Sequence, residues 1–224
     1  MPICTQKSSA QLSKPLEARN DCALKAGSAL ELGVVLDQSA SMSSLINAVI
    51  TGFNALVDEQ RTTQGANFSL ELFNNTSQML YDAVPIGEVP PLRQESYKTD
   101  GGTALNDAIA AMIQAIGKRT KRGTRVLIAI LTDGEENSSR KFSIPDIRQM
   151  ISYRRTIYDW QFIFIGPPEA EHYALSLGIP KSNITSFSAD GDGAGITAIM
   201  ARLSLSMRAY QLGDRRYALK LHNS

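Results

Sequence analysis

The sequence predicts an α/β protein built on a mostly parallel, six-stranded sheet with helices on both faces, and three observations carry that expectation. Strand-like and helix-like segments alternate six times from about residue 28 onward. The run Val126 to Leu131 is apolar without a polar interruption, as a central strand buried on both faces requires. Phe68 to Phe73, then Asn-Asn-Thr-Ser, then Gln78 to Tyr81 reads as a hairpin, which adds one antiparallel strand at the sheet's edge.

The elements follow in order. Residues 1–27 are polar, with four Lys/Arg against two acids, and are expected to form an extension ahead of a domain over 28–212 and a tail over 213–224. Leu32 to Leu36 is the first strand. Leu45, Ile46, Val49, Ile50, Phe53, Leu56 and Val57 then recur at helical spacing, with Ser43 or Ser44 as the expected cap. Pro85, Pro90 and Pro91 mark an irregular crossover. Leu105, Ala108, Ile109, Met112, Ile113 and Ile116 form a helix closed by a run with five basic residues in eight, Lys118 to Arg125. Beyond the central strand, Pro145 signals the start of a helix carrying Ile147, Met150 and Ile151. Strands at Trp160 to Ile165 and Ile184 to Phe187 precede a long last helix marked by Ile196, Ile199, Met200, Leu203, Met207 and Tyr210. No repeat of solenoid length is present.

At 224 residues and 43% hydrophobic content, the chain fits one domain of ordinary size. A formal net charge of +1 gives no overall commitment to nucleic acid or to an anionic membrane. No apolar stretch approaches the ~18 residues of a membrane span, and the N-terminus has no apolar signal region, so a cytoplasmic protein is expected. Cys4 and Cys22 both precede the first strand and cannot staple the core. The sequons at Asn74, Asn137 and Asn183 would matter only on secretion.

In an open α/β sheet the carboxyl ends of parallel strands converge on one rim. Three segments bring oxygen there: Asp37-Gln38-Ser39-Ala40-Ser41 leaves the first strand, Gly101-Gly102-Thr103-Ala104-Leu105 opens a helix, and Thr132-Asp133-Gly134 ends the central strand. Asp37 and Asp133 supply charge, and Ser39, Ser41 and Thr103 supply neutral oxygens. An all-oxygen set suits Mg²⁺ first, with Mn²⁺ or Ca²⁺ as alternatives, and not zinc or copper. The plainer reading is that Asp37 and Thr103 cap helices and that Asp133-Gly134 is a turn, but capping does not require the Asp-x-Ser-x-Ser spacing. Glu135 and Glu136 read as rim charges that shape selectivity.

These three blocks, in this order and over roughly residues 30 to 212, resemble the metal-ion-dependent adhesion site of von Willebrand factor A (vWA) domains of a bacterial stand-alone type. The resemblance implies a doubly wound sheet and a metal held by Asp37, Ser39, Ser41, Thr103 and Asp133, with one of the carboxylates acting through water. It implies a non-catalytic protein-interaction module whose Mg²⁺ is completed by an Asp or Glu of a partner protein. In the family, occupation of the site can move the loop that corresponds to Thr103 and shift the last helix, and whether this chain switches is a separate hypothesis. Some relatives serve as accessory subunits of AAA+ ATPases or metal chelatases, which is the alternative role.

Enzyme readings lack their residues. An Mg²⁺-dependent hydrolase with an aspartyl nucleophile would want a second carboxylate two positions after Asp37, where Ser39 stands. A Walker loop and a dinucleotide-binding glycine turn are absent. His172 and His222 are poor material for a Ser-His-Asp triad. Asp190-Gly191-Asp192-Gly193 starts like a calcium loop, but Ala201 holds the place of its closing Glu, so a turn capping the last helix is expected. The basic run lacks interleaved aromatics and reads as a solvated helix end on the rim opposite the metal, so neither nucleic acid nor membrane is expected as a partner. Nothing in the sequence sets an oligomeric state.

Overall fold

A computed structural model describes residues 30–62, 65–187 and 193–213. The N-terminal extension, Cys4, Cys22, residues 190–192 of the expected turn, His222 and the tail from residue 214 lie outside the described residues. Six strands, β1 (Leu30–Asp37), β2 (Ala66–Phe73), β3 (Ser77–Pro85), β4 (Arg125–Leu131), β5 (Gln161–Gly166) and β6 (Ile184–Ser186), form one sheet in the order β3-β2-β1-β4-β5-β6. All neighbours are parallel except β2 and β3, whose antiparallel pairing carries a bulge near Leu70.

Alternation along the strands sends side chains to two cores. Leu32, Val34 and Leu36 of β1 pack with α1 (Ile46–Gln60) and α5 (Ala194–Gln211), through Val49, Phe53, Ile196, Met200 and others. Val35, Ile128 and Ile130 face α2 (Leu105–Arg119), α3 (Ile144–Tyr158) and α4 (Glu171–Ser176). Gly33 lets α2 approach closely, because a Cβ there would sit 3.0 Å from Met112 Sδ and 3.1 Å from Ile116 Cδ1. The doubly wound architecture is therefore present, with β1 and β4 side by side where the strand order reverses.

Several local expectations change. Neither Ser43 nor Ser44 caps α1; a 3₁₀ turn over Ala40–Leu45 runs straight into it, and Met42 N–H already bonds Ser39 C=O at 3.1 Å. Ala40–Gln60 thereby forms 21 consecutive helical residues, of which an 18-residue window has a mean hydropathy of 1.4, a length and composition that the core helix of a folded domain also reaches. Its Val49, Phe53, Leu56 and Val57 are buried in the core under the sheet. At α3 the Pro145 signal holds, and Ser143 and Asp146 close a reciprocal capping box. The proline-rich crossover is irregular but firmly seated. Ile86, Val89, Leu92 and Tyr97 are core residues, and Asn54 of α1 bonds both the N–H and the C=O of Leu92 at 2.7 and 3.0 Å.

The basic run does lie at the N-terminal rim, since Arg125 pairs in register with Leu30. Lys118, Arg119, Lys121 and Arg122 are exposed, as expected of a solvated helix end, but two of the arginines are also bonded to the fold. Arg119 spans Glu31 at 2.9 Å, Asp82 at 2.7 Å and Ser69 Oγ at 2.8 Å, while Arg125 donates to the C=O groups of Tyr210 and Gln211 at the end of α5.

Candidate metal centre

Asp37 is the last residue of β1 and is completely buried. Its Oδ1 accepts Ser39 N–H at 2.6 Å, the local turn that the Asp-x-Ser spacing makes, and its Oδ2 accepts the Thr132 hydroxyl at 2.5 Å. Ser39 Oγ lies 3.1 Å from Ser41 Oγ, and Ser41 donates to Asp133 Oδ1 at 2.7 Å. Thr103 is 3% exposed, and a Cβ on Gly134 would lie 3.5 Å from Thr103 Oγ1 and 3.7 Å from Ser41 Oγ. All five sequence-expected residues thus gather at the carboxyl ends of β1 and β4, the position where a doubly wound sheet binds its ligands.

Backbone bonds tie the loops together. Ala40 N–H donates to Gly101 C=O at 3.1 Å, Asp100 N–H to Gln38 C=O at 2.9 Å, and Ala104 N–H to Asn74 C=O at 2.7 Å. Gly101, at φ +71°, adopts the left-handed conformation that glycine accepts most easily, and Gly102 N–H bonds Asn75 Oδ1 at 2.8 Å.

The electrostatics favour a cation. Burial pushes the Asp37 carboxyl up to about 6 against the lowering effect of its hydrogen bonds to Thr132 and Ser39, and the nearby Asp133 charge raises it further. Burial also raises Asp133, despite the Ser41 bond. Neither carboxylate has a Lys or Arg within ion-pair distance among the described residues. No group of three or more His, Cys, Asp and Glu gathers among the described residues, so the donors on offer here are two carboxylates with hydroxyls. That set fits a hard divalent cation such as Mg²⁺ and offers nothing soft to zinc or copper.

Three supporting residues, Tyr97, Thr132 and Asn137, were given no role at the site from sequence, and a fourth, Glu136, was given a different one. Tyr97, fully buried, donates its hydroxyl to Asp37 C=O at 2.5 Å, and Thr132 braces the Asp37 side chain. Asn137 Oδ1 accepts Thr103 N–H at 2.9 Å. Glu136, expected as a rim charge that shapes selectivity, is half-buried and bonded to its own loop and to α2: Oε1 accepts the N–H groups of Ser138 and Ser139, and Oε2 accepts Asn106 N–H. The only sequence signal was hidden in plain polar loops. Glu135 is exposed and, with Glu136, Ile144, Glu169, His172 and Tyr173, lines a cavity of about 300 Å³.

Comparison with known proteins bears on the same rim. The model of the family described as VWA domain containing CoxE-like protein matches residues 22–157, which include all five clustered residues. The chain belongs to this family. Among solved structures, this vWA chain is similar to the PilB minor pilin from Streptococcus sanguinis (TM-score 0.63, 10% identity), over 84% of the chain and 63% of the pilin. It is similar to the vWF domain of the type V pili tip protein Mfa5 from Porphyromonas gingivalis (TM-score 0.60, 11% identity, 84% of this chain and 97% of that one). A third is the ArnB paralog VWA2 from Sulfolobus acidocaldarius (TM-score 0.54, 20% identity, 79% and 45%). The chain thus spans less than two-thirds of the minor pilin's length, and at these identities the likeness is one of fold. No curated protein matches the chain.

Proposed function

We propose that the chain is a divalent-metal-dependent protein-interaction module, without catalytic activity of its own. Asp37, Ser39, Ser41, Thr103 and Asp133 hold Mg²⁺, or Mn²⁺ or Ca²⁺ in its place, and an Asp or Glu of a partner protein completes its coordination. The supporting observation is the pair of raised carboxylates, Asp37 and Asp133, joined through the Ser39 and Ser41 hydroxyls and lacking a basic partner. With one of the two carboxylates acting through water, only one negative charge touches the divalent cation directly, so an external carboxylate gains by joining it.

The module's test is an acidic peptide bound in the presence of Mg²⁺ and released by chelation, with the Asp→Asn version of the peptide as control. Equal binding of both peptides, or binding that survives chelation, would remove the reading. The CoxE-like family match favours a second role for the same site, as an accessory subunit that recruits an AAA+ ATPase or metal chelatase. Stimulation of a partner's ATP hydrolysis by the wild type and not by Asp37→Ala would separate that role from simple adhesion.

A further inference from the structure

We propose that Asn137 and Glu136 are positioning residues of the metal centre, latching the Thr103 loop to the Asp133 loop so that both present their oxygens as one preformed half-site. The inference rests on the metal-binding reading above. The first turn of α2 has no side-chain cap from its own segment, since its N-cap position is Ala104. The β4–α3 loop provides the missing acceptors instead. Glu136 Oε2 takes Asn106 N–H at 2.8 Å, and Ser139 Oγ takes Asp107 N–H at 3.1 Å. Orphan amides at a helix start need such acceptors, and a carboxylate there also meets the positive end of the helix dipole.

The latch closes from both sides. Thr103 N–H donates to Asn137 Oδ1 at 2.9 Å, and Thr103 C=O accepts from Asn137 and Ser138 N–H at 3.1 and 3.2 Å. In return, the Asp107 carboxylate accepts the N–H groups of Arg140, Lys141 and Phe142 at 3.0 to 3.1 Å. Gly102 permits the approach, because a Cβ there would fall 2.3 Å from Ser138 Oγ and 2.7 Å from Asn137 Oδ1. Thr103 therefore cannot withdraw from the Asn137–Ser138 segment without breaking bonds at both of its backbone groups. A movement of the Thr103 loop has to carry the β4–α3 loop with it.

Partners that orient metal ligands from behind typically change affinity by about 10-fold or more when removed. The experiment titrates Mn²⁺ into the wild type, Asn137→Ala, Thr103→Ala and the double variant, and follows hydrogen exchange of the Thr103 amide without metal. Asn137 is exposed, and unfolding of each metal-free variant checks that the fold persists. Asn137→Ala should weaken Mn²⁺ about 10-fold, speed exchange at Thr103, and cost nothing further in the Thr103→Ala background. An equal loss in both backgrounds would mean that Asn137 does not act through Thr103, and no loss would mean that it positions nothing. A wild type that takes up no Mn²⁺ would overturn the metal reading itself. In that case unchanged Thr103 exchange in Asn137→Ala would overturn the latch as well, and faster exchange would leave the latch standing as a structural clamp.

Discussion

At the N-terminal rim of the sheet, Glu31 is buried and Arg119 meets it at 2.9 Å, with Asp82 and Ser69 completing the guanidinium's bonds. At the C-terminal rim, Asp37 is buried at least as deeply, Asp133 stands beside it, and among the described residues no arginine or lysine comes within ion-pair distance. Both rims take carboxylates out of water, which is costly unless charge is compensated. One rim compensates from within the chain, and the other leaves the compensation to something from outside. The difference supports the proposed function: the satisfied end maintains the fold, and the end without a basic partner is the one we propose to receive a cation.

The comparison breaks most visibly if its satisfied end is opened. Arg119→Ala strands the buried Glu31 carboxylate, and urea unfolding should show a loss of about 3 kcal/mol with metal affinity unchanged. A loss of metal binding at constant stability would invert the assignment of the two rims. Asp37→Asn is the converse substitution. It removes a charge that burial already disfavours, so the metal-free protein should gain about 1 kcal/mol near pH 7.5 while losing its thermal stabilisation by Mg²⁺.

Acid sharpens the contrast further. Asp37 is raised to about 6, and Glu71, buried on β2 with Oε2 unpartnered among the described residues, is raised to about 7 by burial and by the Asp82 charge, against a bond from Ser77. A raised carboxyl keeps its proton in the folded state at a pH where the unfolded chain has released it. Its stabilising contribution is therefore full below the unfolded value and is lost as pH rises through the folded one. The metal-free protein should gain stability as pH falls from about 7 toward 4.5, by up to about 1.4 kcal/mol per pH unit for each proton taken up. Saturating Mg²⁺ should remove the Asp37 share of that slope and leave the Glu71 share, which denaturant titrations at several pH values would resolve. Tyr97→Phe is the mildest probe. Loss of the hydroxyl from Asp37 C=O should cost about 1 kcal/mol in unfolding and a smaller fraction in Mg²⁺ affinity.

What the sequence disclosed of this site was the part that carries a local signal, Thr103 in its Gly-Gly-Thr turn included. Asp37, Ser39 and Ser41 announce themselves because a two-residue spacing and a preceding apolar strand are local signals, and Asp133 because it follows the most apolar strand in the chain. The doubly wound order was legible for the same reason, through alternation of two periods. Tyr97, Asn137 and Glu136 were not, because each acts on a residue remote in sequence: Tyr97 is 60 positions from Asp37, and Asn137 is 34 from Thr103. A tyrosine in a proline-rich crossover and an Asn-Ser-Ser stretch look like ordinary loop until the fold brings them to their acceptors. Arg119 was misjudged similarly, since nothing local distinguishes a helix-end arginine in water from one that reaches across three strands to Glu31, Ser69 and Asp82.

The central claim is that Asp37 and Asp133 await a divalent cation, and calorimetric titration of Mg²⁺ into the wild type and Asp37→Ala, with and without a small carboxylate, tests it most directly. Uptake of one ion by the wild type, strengthened by the carboxylate and lost in a variant that remains folded, is the predicted result. A wild type that takes up no Mg²⁺, or an Asp37→Ala variant that binds it equally well, would contradict the claim.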